Sequence, residues 1–133
     1  MNDALIVVCS RVQSRRLPGK AFRKIAGLPA ITHIENRLLS CGVPICIAVP
    51  VGQGHIYSPH VAGTSVFEGD PECPLRRMVE AVDARLPQAK YVIRVTHDDI
   101  IIDSKTVVDM LVAVMESGAG YGYSSDIVDG AGV

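Results

Sequence analysis

The chain has 133 residues, 48% of them hydrophobic, which suits one domain with a real core and no need of disulfide staples. Its 13 Lys and Arg against 14 Asp and Glu give a formal charge of -1, which excludes the global basic field of a general nucleic-acid binder. Cysteines at 9, 41, 46 and 73 form no Cys-x-x-Cys pair, which argues against a zinc ribbon or a thioredoxin-like motif.

The run Ala4-Leu5-Ile6-Val7-Val8-Cys9 reads as a parallel strand covered on both faces. Directly after it come Ser10-Arg11-Val12-Gln13-Ser14-Arg15-Arg16-Leu17-Pro18-Gly19-Lys20, with four cations and a Pro-Gly turn. Residues 21–26 follow, then a Gly27-Leu28-Pro29 turn. A helix is predicted over 30–41, with Ile31, Ile34, Leu38 and Leu39 inward, Glu35, Asn36 and Arg37 outward, His33 on the surface and Gly42 as its stop. Residues 45–49 form a second buried strand. The stretch 50–63, rich in Gly, Pro and His, is assigned nothing regular.

Ser65-Val66-Phe67 reads as a short third strand ending at Glu68-Gly69-Asp70-Pro71. A helix over 73–86 carries Leu75, Met78, Val79, Val82 and Leu86 at helical spacing. The strand over 91–95 ends in Thr96-His97-Asp98-Asp99, and Asp103 or Ser104 caps a last helix to Ser117 with Val107, Val108, Leu111, Val112 and Met115 inward. Residues 123–126 begin a further strand. Strands alternating with helices predict a mainly parallel α/β sheet. Cys9 and Cys46 fall inside apolar strands and read as small core residues. No apolar run reaches the about 18 residues of a membrane helix, and a secretory leader is not expected before the first strand. A cytoplasmic protein with reduced thiols, without membrane or nucleic-acid partners, is expected.

Open α/β sheets bind ligands at the carboxyl ends of their strands. The basic loop after the first strand lies there, and its chemical use is to hold a polyphosphate: Arg offers a planar fork to phosphate oxygens and Lys a compact charge. A merely solubilising basic loop is the alternative. The loop after 91–95 opens on the same edge and is acidic. A carboxylate there would hold the Mg²⁺ that accompanies phosphates, an ion usually bound by one or two carboxylates plus the phosphates themselves. Asp98 and Asp99 are the candidates, with a turn role as the competing reading, whereas Asp103 is placed to cap a helix. His97 is a candidate ligand or proton carrier, or neither. There is no Walker A motif and no Gly-x-Gly-x-x-Gly, so side-chain cations carry more of the phosphate binding than backbone amides. No Ser-His-Asp or Cys-His arrangement is legible.

These residues also support a resemblance. Ser14-Arg15-Arg16-Leu17-Pro18-Gly19-Lys20, after a strand and Arg11, resembles the R-x-x-S-x-R-L-P-G-K signature of bacterial cytidylyltransferases. That group includes CMP-KDO synthetase and, most similar here, the spore-coat polysaccharide biosynthesis cytidylyltransferases. Val66-Phe67-Glu68-Gly69, Val92-Ile93-Arg94-Val95-Thr96-His97-Asp98, Ile102-Asp103 and Asp129-Gly130-Ala131-Gly132-Val133 match its later segments in order. The resemblance implies a Rossmann-like, GT-A-like nucleotide-diphospho-sugar transferase fold, incomplete at its C-terminus. It implies activation of a sugar or sugar acid by CTP, giving CMP-sugar and pyrophosphate for cell-surface polysaccharide. Attack on the α-phosphorus would be in line, with cations and metal stabilising the departing pyrophosphate.

By this resemblance Arg11, Ser14, Arg16, Gly19 and Lys20 hold the nucleotide, with Lys20 and Arg11 catalytic, and Asp98 binds Mg²⁺. A homodimer is compatible with it. The chain departs from the family at His97, where Gly is usual, and over Glu72-Cys73-Pro74-Leu75-Arg76-Arg77, where acidic residues are usual. It is also shorter than members of the family, so residues 1–133 are expected to be the nucleotide-binding part. A nucleotide-binding domain without turnover, and a same-fold transferase using another nucleotide or acceptor, are the alternatives.

Overall fold

Six apolar residues, Ala4–Cys9, form strand β1, and all six are buried. A second fully buried strand, β4, spans Ile45–Pro50. Both lie inside a four-stranded sheet, where neither face meets water, which is why neither sequence alternates. The computed structural model describes residues 3–13, 18–62, 64–118 and 120. Ser14, Arg16 and the expected strand over 123–126 lie outside them.

Between β1 and β4 come the short strands β2 (Lys24–Ile25) and β3 (Leu28–Pro29), then helix α1 (Ala30–Leu38). After β4 come α2 (Gly54–Tyr57), β5 (Ser65–Gly69), α3 (Pro74–Arg85), β6 (Tyr91–Thr96) and α4 (Ser104–Ser117). The sheet order is β5-β4-β1-β6 and every pairing is parallel. Cys9 is level with Ala48 on one side and with Thr96 on the other, and Pro50 with Gly69. Residues 10–20, 51–53, 70–73 and 97–103 therefore all follow strands that end at one edge.

The alternation of β1 divides the core. Ile6 and Val8 face Ile31, Ile34 and Leu38 of α1, Val107 and Leu111 of α4, and Tyr57. Leu5, Val7 and Cys9 face Ala81 of α3, with Met78, Val82 and Leu86 packed alongside. Cys9 and Cys46 are buried free thiols, as the sequence predicts, and burial pushes both above the usual thiol range.

Several expectations are corrected. Leu39 is exposed and Glu35 is buried, because the helix tightens into a 3₁₀ turn at Leu39–Cys41 while Glu35 is drawn inward by hydrogen bonds. Its carboxylate accepts from the Ala62 N–H at 3.0 Å and from the Thr64 hydroxyl at 3.1 Å. On α3 the buried residues are Arg77 and Ala81, while Leu75 and Val79 point to water. Val112 and Met115 of α4 are likewise exposed, since only Val107 and Leu111 reach the sheet closely enough for burial.

The turn expected over 27–29 is instead the tip of the β2–β3 hairpin. Ala26 and Gly27 take φ of 51° and 86°, the doubly left-handed pair of a two-residue hairpin loop. Over 50–62 the chain is not irregular throughout. It holds α2 and a 3₁₀ turn at Ser58–His60, started by the Glu68 carboxylate accepting the Gly54 N–H at 2.7 Å. Helix bounds at α4 agree with the sequence: Asp103 caps its start and Gly118, at φ 69°, ends it.

Candidate functional site

The two loops set side by side by β1 and β6 meet through their side chains. Lys20, in a 3₁₀ turn at Lys20–Phe22, places its ammonium on the Asp98 carboxylate. Gly19 makes that turn possible: its φ of 73° is left-handed, and its N–H donates to the Val12 carbonyl at 3.0 Å, closing the base of the loop. Arg11 is exposed at the loop's start. Ser14 and Arg16, the other expected phosphate contacts, lie outside the described residues. Of the expected site, the structure thus brings together Gly19, Lys20 and Asp98, beside a histidine whose charge Arg11 also influences.

That histidine is His97. Its Nδ1 is 2.7 Å from the Ser10 hydroxyl, which is also 2.7 Å from the Tyr57 hydroxyl. Its Nε2 is 3.9 Å from the Asp98 carboxylate. Burial holds its pKa below the ordinary value, Lys20 and Arg11 push in the same direction, and Asp98 and Asp99 oppose them without prevailing. Ser10 orients the imidazole, and burial favours its neutral form.

Asp98 and Asp99 are adjacent but not equivalent. Asp99 accepts from the Thr96 N–H at 3.0 Å and from the Thr96 hydroxyl at 3.2 Å, so it shapes the turn. Asp103 accepts from the Thr106 N–H and hydroxyl at 3.1 and 2.8 Å, which makes it the helix cap. Asp98, half exposed, is the carboxylate facing the basic loop. Among the described residues no group of three or more His, Cys, Asp or Glu is arranged to hold a metal ion. A single carboxylate does not make a metal cage, but it fits Mg²⁺, which takes the rest of its oxygens from phosphates and water.

Residues the sequence did not mark complete this edge. Ser10 and Tyr57 are 2% and 0% exposed, so the chain Tyr57–Ser10–His97 is a polar path, buried at Tyr57 and Ser10 and part-buried at His97. Tyr57 also packs its ring on Phe22, with centroids 4.8 Å apart, so the 3₁₀ turn carrying Lys20 rests on it. An aromatic residue inside a polar loop was the available signal. Arg77 is 2% exposed; its Nη1 donates to the Asp70 carbonyl at 3.0 Å, and burial lowers its pKa. Nothing in the sequence separates it from the exposed Arg76 beside it.

A parallel α/β sheet with a cationic loop after its first strand, faced by a carboxylate from the neighbouring strand, places both groups at the edge where open α/β sheets bind their ligands. The chain belongs to the cytidylyltransferase family, whose model matches residues 5–132. It is 24% identical over 120 residues to a 3-deoxy-manno-octulosonate cytidylyltransferase of Anaeromyxobacter sp. (strain Fw109-5), covering 89% of this chain and 49% of that one. It is 28% identical over 132 residues to the spore coat polysaccharide biosynthesis protein SpsF of Bacillus subtilis (strain 168), covering 92% and 54%. Among solved structures, CMP:2-keto-3-deoxy-manno-octonic acid synthetase complexed with CTP superposes with a TM-score of 0.74 at 27% identity, over 87% of this chain and 48% of that one. A cytidylyltransferase from Leptospira borgpetersenii shares the fold, with a TM-score of 0.76 at 21% identity, over 86% and 49%. The chain thus spans about half the length of the relatives it matches. The fold expected from the resemblance is the one observed. No helix among the described residues is long and apolar enough to cross a membrane.

Proposed function

We propose that this chain is the nucleotide-binding part of a cytidylyltransferase that joins CMP from CTP to a sugar or sugar acid, releasing pyrophosphate. The observation that carries this reading is the apposition of Lys20 and Asp98 across the ends of neighbouring strands in a chain of this family. Lys20 and Arg11 would hold the triphosphate and stabilise charge on the departing pyrophosphate, with Gly19 setting the loop and Ser14 and Arg16 adding contacts. Asp98 would hold Mg²⁺, which when bound neutralises phosphate charge. The synthetase that shares this fold is complexed with CTP, which supports the nucleotide. The names of the relatives support a sugar acid and surface polysaccharide.

Incubating the chain with Mg²⁺, CTP and a panel of sugar acids, and measuring pyrophosphate, tests the activity. Release with any acceptor supports the transferase. CTP binding without release supports a nucleotide-binding half that needs further sequence for turnover, a reading favoured by its span of half its relatives' length. Melting shifts across CTP, UTP, ATP and GTP test the base, because a ligand bound only by the folded state stabilises it.

A further inference from the structure

We propose that Gln53 is a positioning residue for the basic loop, fixing its first limb from the end of β4 so that Gly19 and Lys20 are presented to the phosphates. This rests on the nucleotide-binding reading above. Gln53 is 9% exposed, which is unusual for an uncharged amide at the mouth of a polar edge. Its Oε1 accepts the Val12 N–H at 2.9 Å, and its Nε2 donates to the Gln13 Oε1 at 2.6 Å. The amide orientation follows from the partners: a backbone N–H needs an acceptor, so the oxygen faces Val12.

Val12 is the hinge of the device. Its N–H is held by Gln53, and its carbonyl accepts from Gly19, the residue that opens the Lys20 turn. Gln53 itself is rooted twice, its N–H donating to the Pro50 carbonyl at 3.0 Å and its carbonyl accepting from Ile56 at 3.0 Å. A continuous path therefore runs from a fully buried strand, through Gln53 and Val12, to Gly19 and Lys20. The link to Val12 needs a side chain that accepts from a backbone amide, and the added link to Gln13 needs one that also donates to an amide oxygen. An amide of this length does both; Glu only accepts, Asn is one methylene short and Met does neither.

The test uses the full chain. Gln53→Met should speed hydrogen exchange of the Val12 and Gly19 amides about tenfold, leave the Ile6 to Val8 amides unchanged, and weaken CTP binding about tenfold in calorimetry with Mg²⁺. Gln53→Glu, which keeps the acceptor, should restore slow exchange at Val12. Gln13→Ala, at an exposed position, should give a smaller effect in the same direction and guards against a Gln53 variant that fails to fold. Unchanged exchange at Gly19 overturns the clamp. Faster exchange with unchanged CTP affinity overturns its positioning role. Failure of the unmodified chain to bind any of the four nucleoside triphosphates overturns the nucleotide reading itself, and the positioning role with it.

Discussion

The Lys20 ammonium rests on the Asp98 carboxylate, so the cation expected to hold a phosphate and the carboxylate expected to hold a metal neutralise each other across the edge of the sheet. Their side chains are 35% and 53% exposed, which limits the pair to the small energies of solvent-screened ion pairs. A phosphate bearing Mg²⁺ can replace both contacts together, giving each group a new partner of the right charge.

This pairing predicts a reversal of sign. Without metal, Asp98→Asn should bind CTP roughly two- to fivefold more tightly than the parent chain, because Lys20 is released and a repelling charge is removed. With Mg²⁺ the order should invert. Lys20→Ala should weaken binding about tenfold or more in both buffers. Titration calorimetry with and without a chelator reads all three, and a metal-free Asp98→Asn affinity at or below the parent value would show that the ion pair does not compete with nucleotide.

Ser10 is the centre of the Tyr57–Ser10–His97 path, so its loss should cost more than loss of an end. Ser10→Ala leaves two groups without this partner and should destabilise by about 1–3 kcal/mol, whereas Tyr57→Phe should cost about 0.5–1.5 kcal/mol. Denaturant unfolding measures both, and the reverse order would remove Ser10 from the centre.

Burial pushes the Tyr57 phenol up from 10 to about 12. Its contribution is fully present below pH 10, where both folded and unfolded chains keep the proton. Between 10 and 12 the unfolded chain loses the proton first, so stability should fall as pH rises through that window. Tyr57→Phe should lack this part of the alkaline loss. Parallel melting curves from pH 9 to 12 for the two proteins would expose it, and identical slopes would contradict it.

Asp103 offers the opposite sign. Hydrogen bonds from the Thr106 hydroxyl and N–H, then Lys105, hold its carboxyl below the ordinary 3.8. The stability it contributes is present above that value and is lost as pH falls through the lowered folded pKa. Asp103→Ala should lower the melting temperature at neutral pH, and Asp103→Asn, which also caps, should lower it less. The gap between parent and Asp103→Ala should narrow in strong acid toward the gap between Asp103→Asn and Asp103→Ala; a gap that does not narrow would assign the effect to something other than the charge of the cap.

Among the described residues nothing lies within 4 Å of where a Cβ on Gly19 would sit, yet its φ is 73°. Gly19→Ala should therefore cost only backbone strain, about 1–2 kcal/mol, and Gly19→Asn less. A loss well beyond that in chemical denaturation would indicate crowding that the structure does not contain.

The sequence by itself determined the parallel sheet and its buried central strands, although β5 runs to Gly69, two residues beyond the 65–67 read from the sequence. Unbroken apolar runs at Ala4–Cys9 and Ile45–Pro50 can be stable only with both faces covered, and cations or acids placed after such runs must emerge at the sheet edge. Asp103 and Gly118 were legible for the same local reason, since caps are read from residue type and position. Tertiary structure alone decided the rest. Glu35 sits at a polar helical position and Tyr57 and Gln53 in a stretch without periodicity, and each is buried because distant groups, Ala62, Ser10 and Val12, satisfy its hydrogen bonds. Burial of a polar side chain depends on partners that only the folded chain brings near, and no pattern of neighbours along the sequence encodes them. The Lys20–Asp98 contact belongs to both: the two loops are visible in the sequence, but it is the pairing of β1 with β6 that makes them neighbours.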